Sequence, residues 1–180
     1  MISANPAPGI MNTWKTVADI NWATWTPTER AVLLFVVQDG RILLIRKKLG
    51  LGAGKINGPG GRIEPGETPE AAAIRETQEE LCITPHAIRH CGELSFQFQD
   101  GFSIHAHVFK TEGFSGAPQE TREAIPHWFA LDAIPYHEMW ADDAHWLPLM
   151  LADRFFQGYF LFDGDAMADH RISSASPGRP

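Results

Sequence analysis

The stretch Gly60–Ile83, GGRIEPGETPEAAAIRETQEELCI, decides how the rest of the chain is read. Thr68-Pro69 opens a helix, because a threonine hydroxyl can accept from free amide groups at a helix start. Proline at the first helical position has its φ preset and lacks only an N–H that would go unbonded there. The spacing predicts a helix to about Leu81, with Pro85 just beyond its end. Ile74, Thr77 and Leu81 form the expected inner stripe. Glu76, Glu79 and Glu80 stand at i, i+3 and i+4 and project from one helical face. Like charges so placed destabilise a helix by about 0.2–0.5 kcal/mol per pair. Taken alone, such a face reads as solvated surface. A hard divalent cation gives the charges a use, since magnesium takes oxygen ligands and keeps places for water and phosphate. Arg75, four residues before Glu79, is placed to hold a carboxylate bidentately.

Outward from this helix, Ala31–Val37 is an apolar run that predicts a buried strand. Asp39-Gly40 is a two-residue hairpin signal, and Ile42–Ile45 is the returning strand. Gly50, Gly52, Gly54, Gly58, Gly60 and Gly61 crowd one loop, where the backbone turns sharply or approaches something closely. Further strands are expected at Ile88–Gln99 and Ser103–Lys110, turning at Asp100-Gly101, and at His127–Leu131 and Tyr159–Phe162. Asp143–Asp153 reads as a helix with Trp146, Leu149 and Met150 inward. Residues 1–30 read as an N-terminal extension, 31–172 as one domain, and 173–180 as a disordered tail.

A net charge of -7 argues against long nucleic acid, which needs many cations to displace its counterions. The two cysteines, Cys82 and Cys91, form no disulfide framework, and a reducing cytoplasm is expected. The longest clean apolar run, Ala31–Val37, is too short to span a bilayer, so no membrane partner is expected. The expected working form is a monomer acting on a small molecule.

Gly61, Glu67, Arg75-Glu76, Glu79-Glu80 and Ile83 fall at the spacings of the Nudix box, and the segment resembles that family. Two positions depart. Thr77 replaces an aliphatic residue, and Cys82 replaces a glycine after the helix, where a left-handed turn would cost a non-glycine residue about 1–2 kcal/mol. The resemblance implies an α+β fold, a mixed β-sheet sandwiched between helices. It also implies magnesium, with manganese as a substitute, held by Glu76, Glu79, Glu80 and the Gly61 carbonyl. Glu123 is a further candidate ligand or base; read alone, it is equally a solvated glutamate beside Arg122.

Beyond the box, KKLGLGAGKINGPGGR, Phe96 and Phe98, MWADDAHWLPLML and FFQGYFLF resemble the oxidised-purine nucleoside triphosphatases of that family. This implies hydrolysis of 8-oxo-dGTP or 2-hydroxy-dATP to monophosphate and pyrophosphate. A purine has flat apolar faces on which an aromatic such as Trp140 can stack, at about 1–3 kcal/mol per base; Trp140 and Trp146 flank the acidic pair, and at least one of them is expected to be an ordinary core aromatic. Two adjacent buried carboxyls resist ionising together, so Asp142 and Asp143 can donate with one and accept with the other. Their plainer reading is a charge pair at a helix N-terminus. Asn57 can meet a base edge with both a donor and an acceptor, or is a turn residue. Phe96 walls the pocket or is core; Lys47 reaches base or phosphate or is a solvated strand-end charge. Leu51, Ile56 and Pro59 stand where animal relatives of this type carry other residues, and Leu51 implies a looser pocket. Alternatives are a Nudix hydrolase of another nucleoside diphosphate compound or methylated purine triphosphate, and a non-catalytic Nudix binding module. His105-x-His107 places two rings on one side of a strand. Spacing suggests no third ligand, so they read as structural and no zinc site is expected.

Overall fold

The computed structural model describes residues 13–175 of the chain. Its centre is two strands that are apolar on both faces. β1 (Glu29–Gln38) and β2 (Arg41–Lys47) are joined by Asp39 and Gly40, both at positive φ (51° and 71°). Two left-handed residues give the turn whose twist matches the paired strands. Side chains alternate across a strand, so Val32, Leu34, Val36, Leu43 and Ile45 face one way and Phe35, Ile42 and Leu44 the other.

Each face has its own helix. On the first, α1 (Pro69–Leu81) presents Ala72, Ala73 and Leu81. On the second, α2 (Asp143–Leu151) presents Trp146, Leu147 and Met150. The sandwiched mixed sheet of the sequence reading is what forms. Besides β1 and β2 it contains β3 (Ile56–Asn57), β4 (Gly60–Arg62), β6 (Arg89–Phe98), β7 (Ser103–Thr111), β9 (Ala124–Ala130), β10 (Phe156–Asp163) and β11 (Ala166–Ser174). Its order is β11-β10-β6-β7-β1-β2-β3, with β4 on β1 and β9 on β2. The β1–β7 and β6–β10 pairs are parallel and the others antiparallel. A separate ribbon pairs β5 (Ile83–His86) with β8 (Gly113–Gly116).

Several expectations shift. The inner stripe of α1 is Ala72, Ala73, Thr77 and Leu81, whereas Ile74 is only half-buried. Alanines let the helix lie close to β1 and β4. Thr77 is tolerated at full burial because its hydroxyl donates to the Ala73 carbonyl at 2.7 Å. In α2, Leu147 takes the inward place expected of Leu149. Within the N-terminal extension, residues 13–28 pack on the sheet. Val17 and Ile20 are buried against Leu161, with Trp14, Trp22 and Trp25 packed around them. At the other end, Ser173 and Ser174 pair with β10 rather than starting a disordered tail. The expectations for residues 1–12 and 176–180 lie outside the described residues.

Cys82 closes α1 in the left-handed conformation, φ 60° and ψ 26°. Its side chain is exposed, so the backbone conformation is the main cost. Cys82→Gly is expected to stabilise the protein by about 1 kcal/mol, read as a raised urea midpoint.

Candidate metal and nucleotide site

Thr68 caps α1, its Oγ1 accepting from the Ala71 amide at 3.2 Å. The helix is pinned to its approach loop by Arg75. The guanidinium donates to both Glu67 oxygens (2.8 and 2.9 Å), to Glu76 (2.8 Å), to Glu79 (3.2 Å) and to the Arg62 carbonyl (3.0 Å). The bidentate partner is therefore Glu67, whose carboxyl the Arg75 hydrogen bonds pull down to a pKa of about 2.

The remaining carboxylates behave differently. Glu80 is buried, its Oε2 accepting from the Gly60 amide at 2.9 Å. Burial pushes its pKa up to about 7, against the Gly60 amide and Lys47, while Glu76 and Glu123 add to the rise. Burial also raises Glu76, despite Arg75. Glu79 stands at the outer edge with its side chain 55% exposed. Glu76, Glu80 and Glu123 line a cavity of about 250 Å³ with Lys47, Gly60 and Gly61. Glu123 has no ion pair among the described residues.

The glycines here are required by close approach. A Cβ on Gly60 would overlap the Val32 carbonyl, and one on Gly61 would overlap the Glu76 carboxylate. Gly61→Ala is expected to push the Glu76 carboxylate aside while leaving the fold intact. Melting temperature should change little and divalent-cation affinity should fall at least about tenfold. Carboxylate oxygens facing one cavity, held against burial and mutual repulsion, are a donor set that fits a hard divalent cation.

A second cavity, about 360 Å³, shares Lys47, Gly50, Gly60 and Gly61 with the first and extends to the α2 face of the sheet. Phe96 and Phe98 of β6 and Trp140 form aromatic walls, and Leu51 lies at the mouth, 50% exposed. Asp142 and Asp143 line it, 3% and 6% exposed. Asp142 Oδ2 accepts from the Trp146 indole N–H at 2.8 Å, and Asp143 Oδ2 from the Trp140 amide at 3.1 Å. Burial raises the pKa of Asp142 to about 6 and that of Asp143 well above the usual carboxylate range, with Asp142 adding to the latter. Asn57 also lines the cavity, its Nδ2 buried without a hydrogen-bond partner among the described residues. An orphan donor beside two buried carboxyls whose pKa values are raised suits a ligand rich in polar edges.

The structure thus brings together Lys47, Leu51, Asn57, Phe96, Trp140, Asp142 and Asp143. It does not bring Trp146 among them. That ring is fully buried between Phe35 and Phe156, and its contribution is the hydrogen bond to Asp142. Sequence reasoning gave no site role to Phe98, Ile104 or Phe162, which also line the cavity. Phe98 was legible in principle, being two residues from Phe96 on the same strand face. Lys55, lying over the Trp140 ring at 4.9 Å, was not.

Residues 27–150 match the NUDIX domain. The chain is 44% identical over 142 residues to the oxidized purine nucleoside triphosphate hydrolase of Danio rerio, covering 78% of this chain and 91% of the relative. It is 39% identical over 142 residues to the Mus musculus protein of the same name, with the same coverage. Among solved structures, a MutT protein from Bacillus halodurans superposes with a TM-score of 0.72 at 25% identity, covering 80% of this chain and 97% of that one. A domain match over most of the chain and relatives aligned nearly end to end make this protein a member of the NUDIX family.

Proposed function

We propose that the chain is a magnesium-dependent hydrolase of oxidised purine nucleoside triphosphates such as 8-oxo-dGTP and 2-hydroxy-dATP. The observation that carries this is an aromatic cavity holding a buried Asp142–Asp143 pair and an orphan Asn57 amide, opening directly onto the carboxylate cluster of α1. The names of the two animal relatives support the substrate class.

Glu76, Glu79, Glu80, Glu123 and the Gly61 carbonyl are the residues that would hold Mg²⁺, or Mn²⁺ in its place. When bound, the cation neutralises phosphate charge and polarises phosphoryl oxygens. Lys47 lines both cavities and meets the phosphate chain where it leaves the base pocket. Arg75 keeps Glu76 and Glu79 oriented. In the base pocket, one carboxyl of the Asp142–Asp143 pair keeps its proton and donates while the other accepts. Moving that proton lets the same pair face the edge of oxidised guanine or of oxidised adenine. Trp140 supplies the stacking surface and Asn57 meets the remaining edge. A water oxygen joins phosphorus as a phosphoanhydride P–O bond breaks, giving the nucleoside monophosphate and pyrophosphate. The proposed setting is the cytoplasm, as a monomer on free nucleotides rather than on a nucleic acid polymer. Among the described residues no helix is long and apolar enough to cross a membrane.

The test is kcat/KM for 8-oxo-dGTP, 2-hydroxy-dATP, methylated dGTP and dGTP, measured side by side with Mg²⁺. One hydrogen bond to a charged group corresponds to about tenfold or more, so at least one oxidised nucleotide should exceed dGTP by about that factor. Equal rates on dGTP would overturn the assignment of substrate.

A further inference from the structure

His105 and His107 lack a third ligand in their own stretch of sequence, but strand pairing supplies one. β6 lies antiparallel to β7 with Glu93 opposite His107 and Ser95 opposite His105. Regular alternation would put His90, three residues from Glu93, on the other face of β6. The register shifts between His90 and Gly92, and this bulge swings His90 onto the Glu93 side.

Three ligand atoms converge as a result. His107 Nδ1 lies 3.4 Å from His90 Nε2 and 3.7 Å from Glu93 Oε1, and His90 Nε2 lies 3.9 Å from the same Glu93 oxygen. The point equidistant from three such corners is about 2.1 Å from each, which matches the roughly 2.0–2.2 Å of zinc–imidazole and zinc–carboxylate bonds. We propose that His90, Glu93 and His107 form a second cation site, specific for a borderline divalent transition metal such as zinc and separate from the carboxylate cluster of α1.

The surroundings suit that role. His105 Nε2 faces the second Glu93 oxygen at 3.5 Å, and its Nδ1 lies 3.2 Å from the Ser95 hydroxyl. A histidine N–H donated to a ligating carboxylate is a common means of fixing that ligand. The His90 ring is held between Phe109 and Phe155, at centroid distances of 5.2 and 5.4 Å. Burial favours neutral rings at His105 and His107, which leaves lone pairs for a metal. Two imidazoles and one carboxylate select zinc, cobalt or nickel over magnesium, which prefers an all-oxygen shell. Bound there, the ion would cross-link β6 to β7.

The test is calorimetric titration of the whole protein with ZnCl2 in excess Mg²⁺, which occupies the α1 cluster. We expect one zinc per chain, a raised melting temperature, and loss of about 100-fold or more in affinity in His107→Gln. Magnesium-supported hydrolysis should be unchanged in that variant. Co²⁺ in place of zinc should give a visible absorption band that His90→Asn and His107→Gln both lose. Zinc affinity unchanged in both variants would overturn the site. Should either variant fail to fold, zinc-edge anomalous diffraction from the wild-type protein decides. A peak among His90, Glu93 and His107 supports the proposal, and zinc found only at the α1 carboxylates overturns it.

Discussion

Glu80→Gln is expected to reduce hydrolysis at least about 10³-fold, the scale of removing a principal catalytic group, while making the metal-free protein more stable. Both halves follow from one geometry. The Glu80 carboxyl is buried and carries a pKa pushed up to about 7. Glutamine keeps an oxygen for the Gly60 amide but brings no charge into that place. The folded pKa lies above the unfolded value of about 4.3, so the folded state holds its proton longer. The metal-free protein should therefore lose stability as pH rises from about 4.5 through 7. Mg²⁺ should restore that loss in the wild type and not in Glu80→Gln. Thermal melts at pH 5 and 8, with and without Mg²⁺, check this. Glu76→Gln and Glu79→Gln should lower activity in the same direction. Full pyrophosphate release from Glu79→Gln would instead favour a chain whose acidic helix is not used in catalysis.

Asp143→Asn is expected to lower kcat/KM for 8-oxo-dGTP by about 10²–10⁴-fold, because a site built to exchange hydrogen bonds discriminates strongly once a partner is wrong. The loss should be far smaller for a substrate that does not need that carboxyl. The fold should survive, since an amide oxygen can still accept from the Trp140 backbone. Both carboxyls have raised pKa values, Asp142 to about 6 and Asp143 further above its usual range. Each thus stabilises the fold less as pH climbs from about 4 past those values. Asp143→Asn should flatten this part of the stability profile. In the wild type, the kcat/KM values for 8-oxo-dGTP and 2-hydroxy-dATP should move in opposite directions with pH as the shared proton is lost. Parallel profiles, or full activity in Asp142→Asn and Asp143→Asn, would remove the pair from base recognition.

What could be read from sequence was whatever local chemistry dictates. The Thr68-Pro69 cap and the Asp39-Gly40 hairpin depend on near neighbours, and each has a matching feature in the structure; of Glu76, Glu79 and Glu80, expected on one face, Glu76 and Glu80 line the cavity while Glu79 stands at its outer edge. Helix rotation and strand pairing depend on distant partners. Ile74 lies one residue from the buried Ala73, and Leu149 two from the buried Leu147, so each falls off the stripe that packs inward. Helical spacing places Trp146 with Asp143, Leu147 and Met150 on the buried side of α2, a reason to expect it in the core. β11 carries Asp169, His170 and Arg171 and has no apolar alternation; it exists because β10 pairs with it. Trp14, Trp22 and Trp25 follow no period, so their packing on Leu161 and Tyr159 could not be anticipated. His90 and Glu93 approach His107 only through a cross-strand register with a bulge, which spacing along one chain does not encode.

The most direct measurement is Mn²⁺-edge anomalous diffraction from crystals grown with the metal, paired with hydrolysis assays in the same ion. Density is expected among Glu76, Glu79, Glu80 and the Gly61 carbonyl, with activity that rises with its occupancy. A bare α1 face, together with turnover that persists after those three glutamates are replaced, would contradict that expectation.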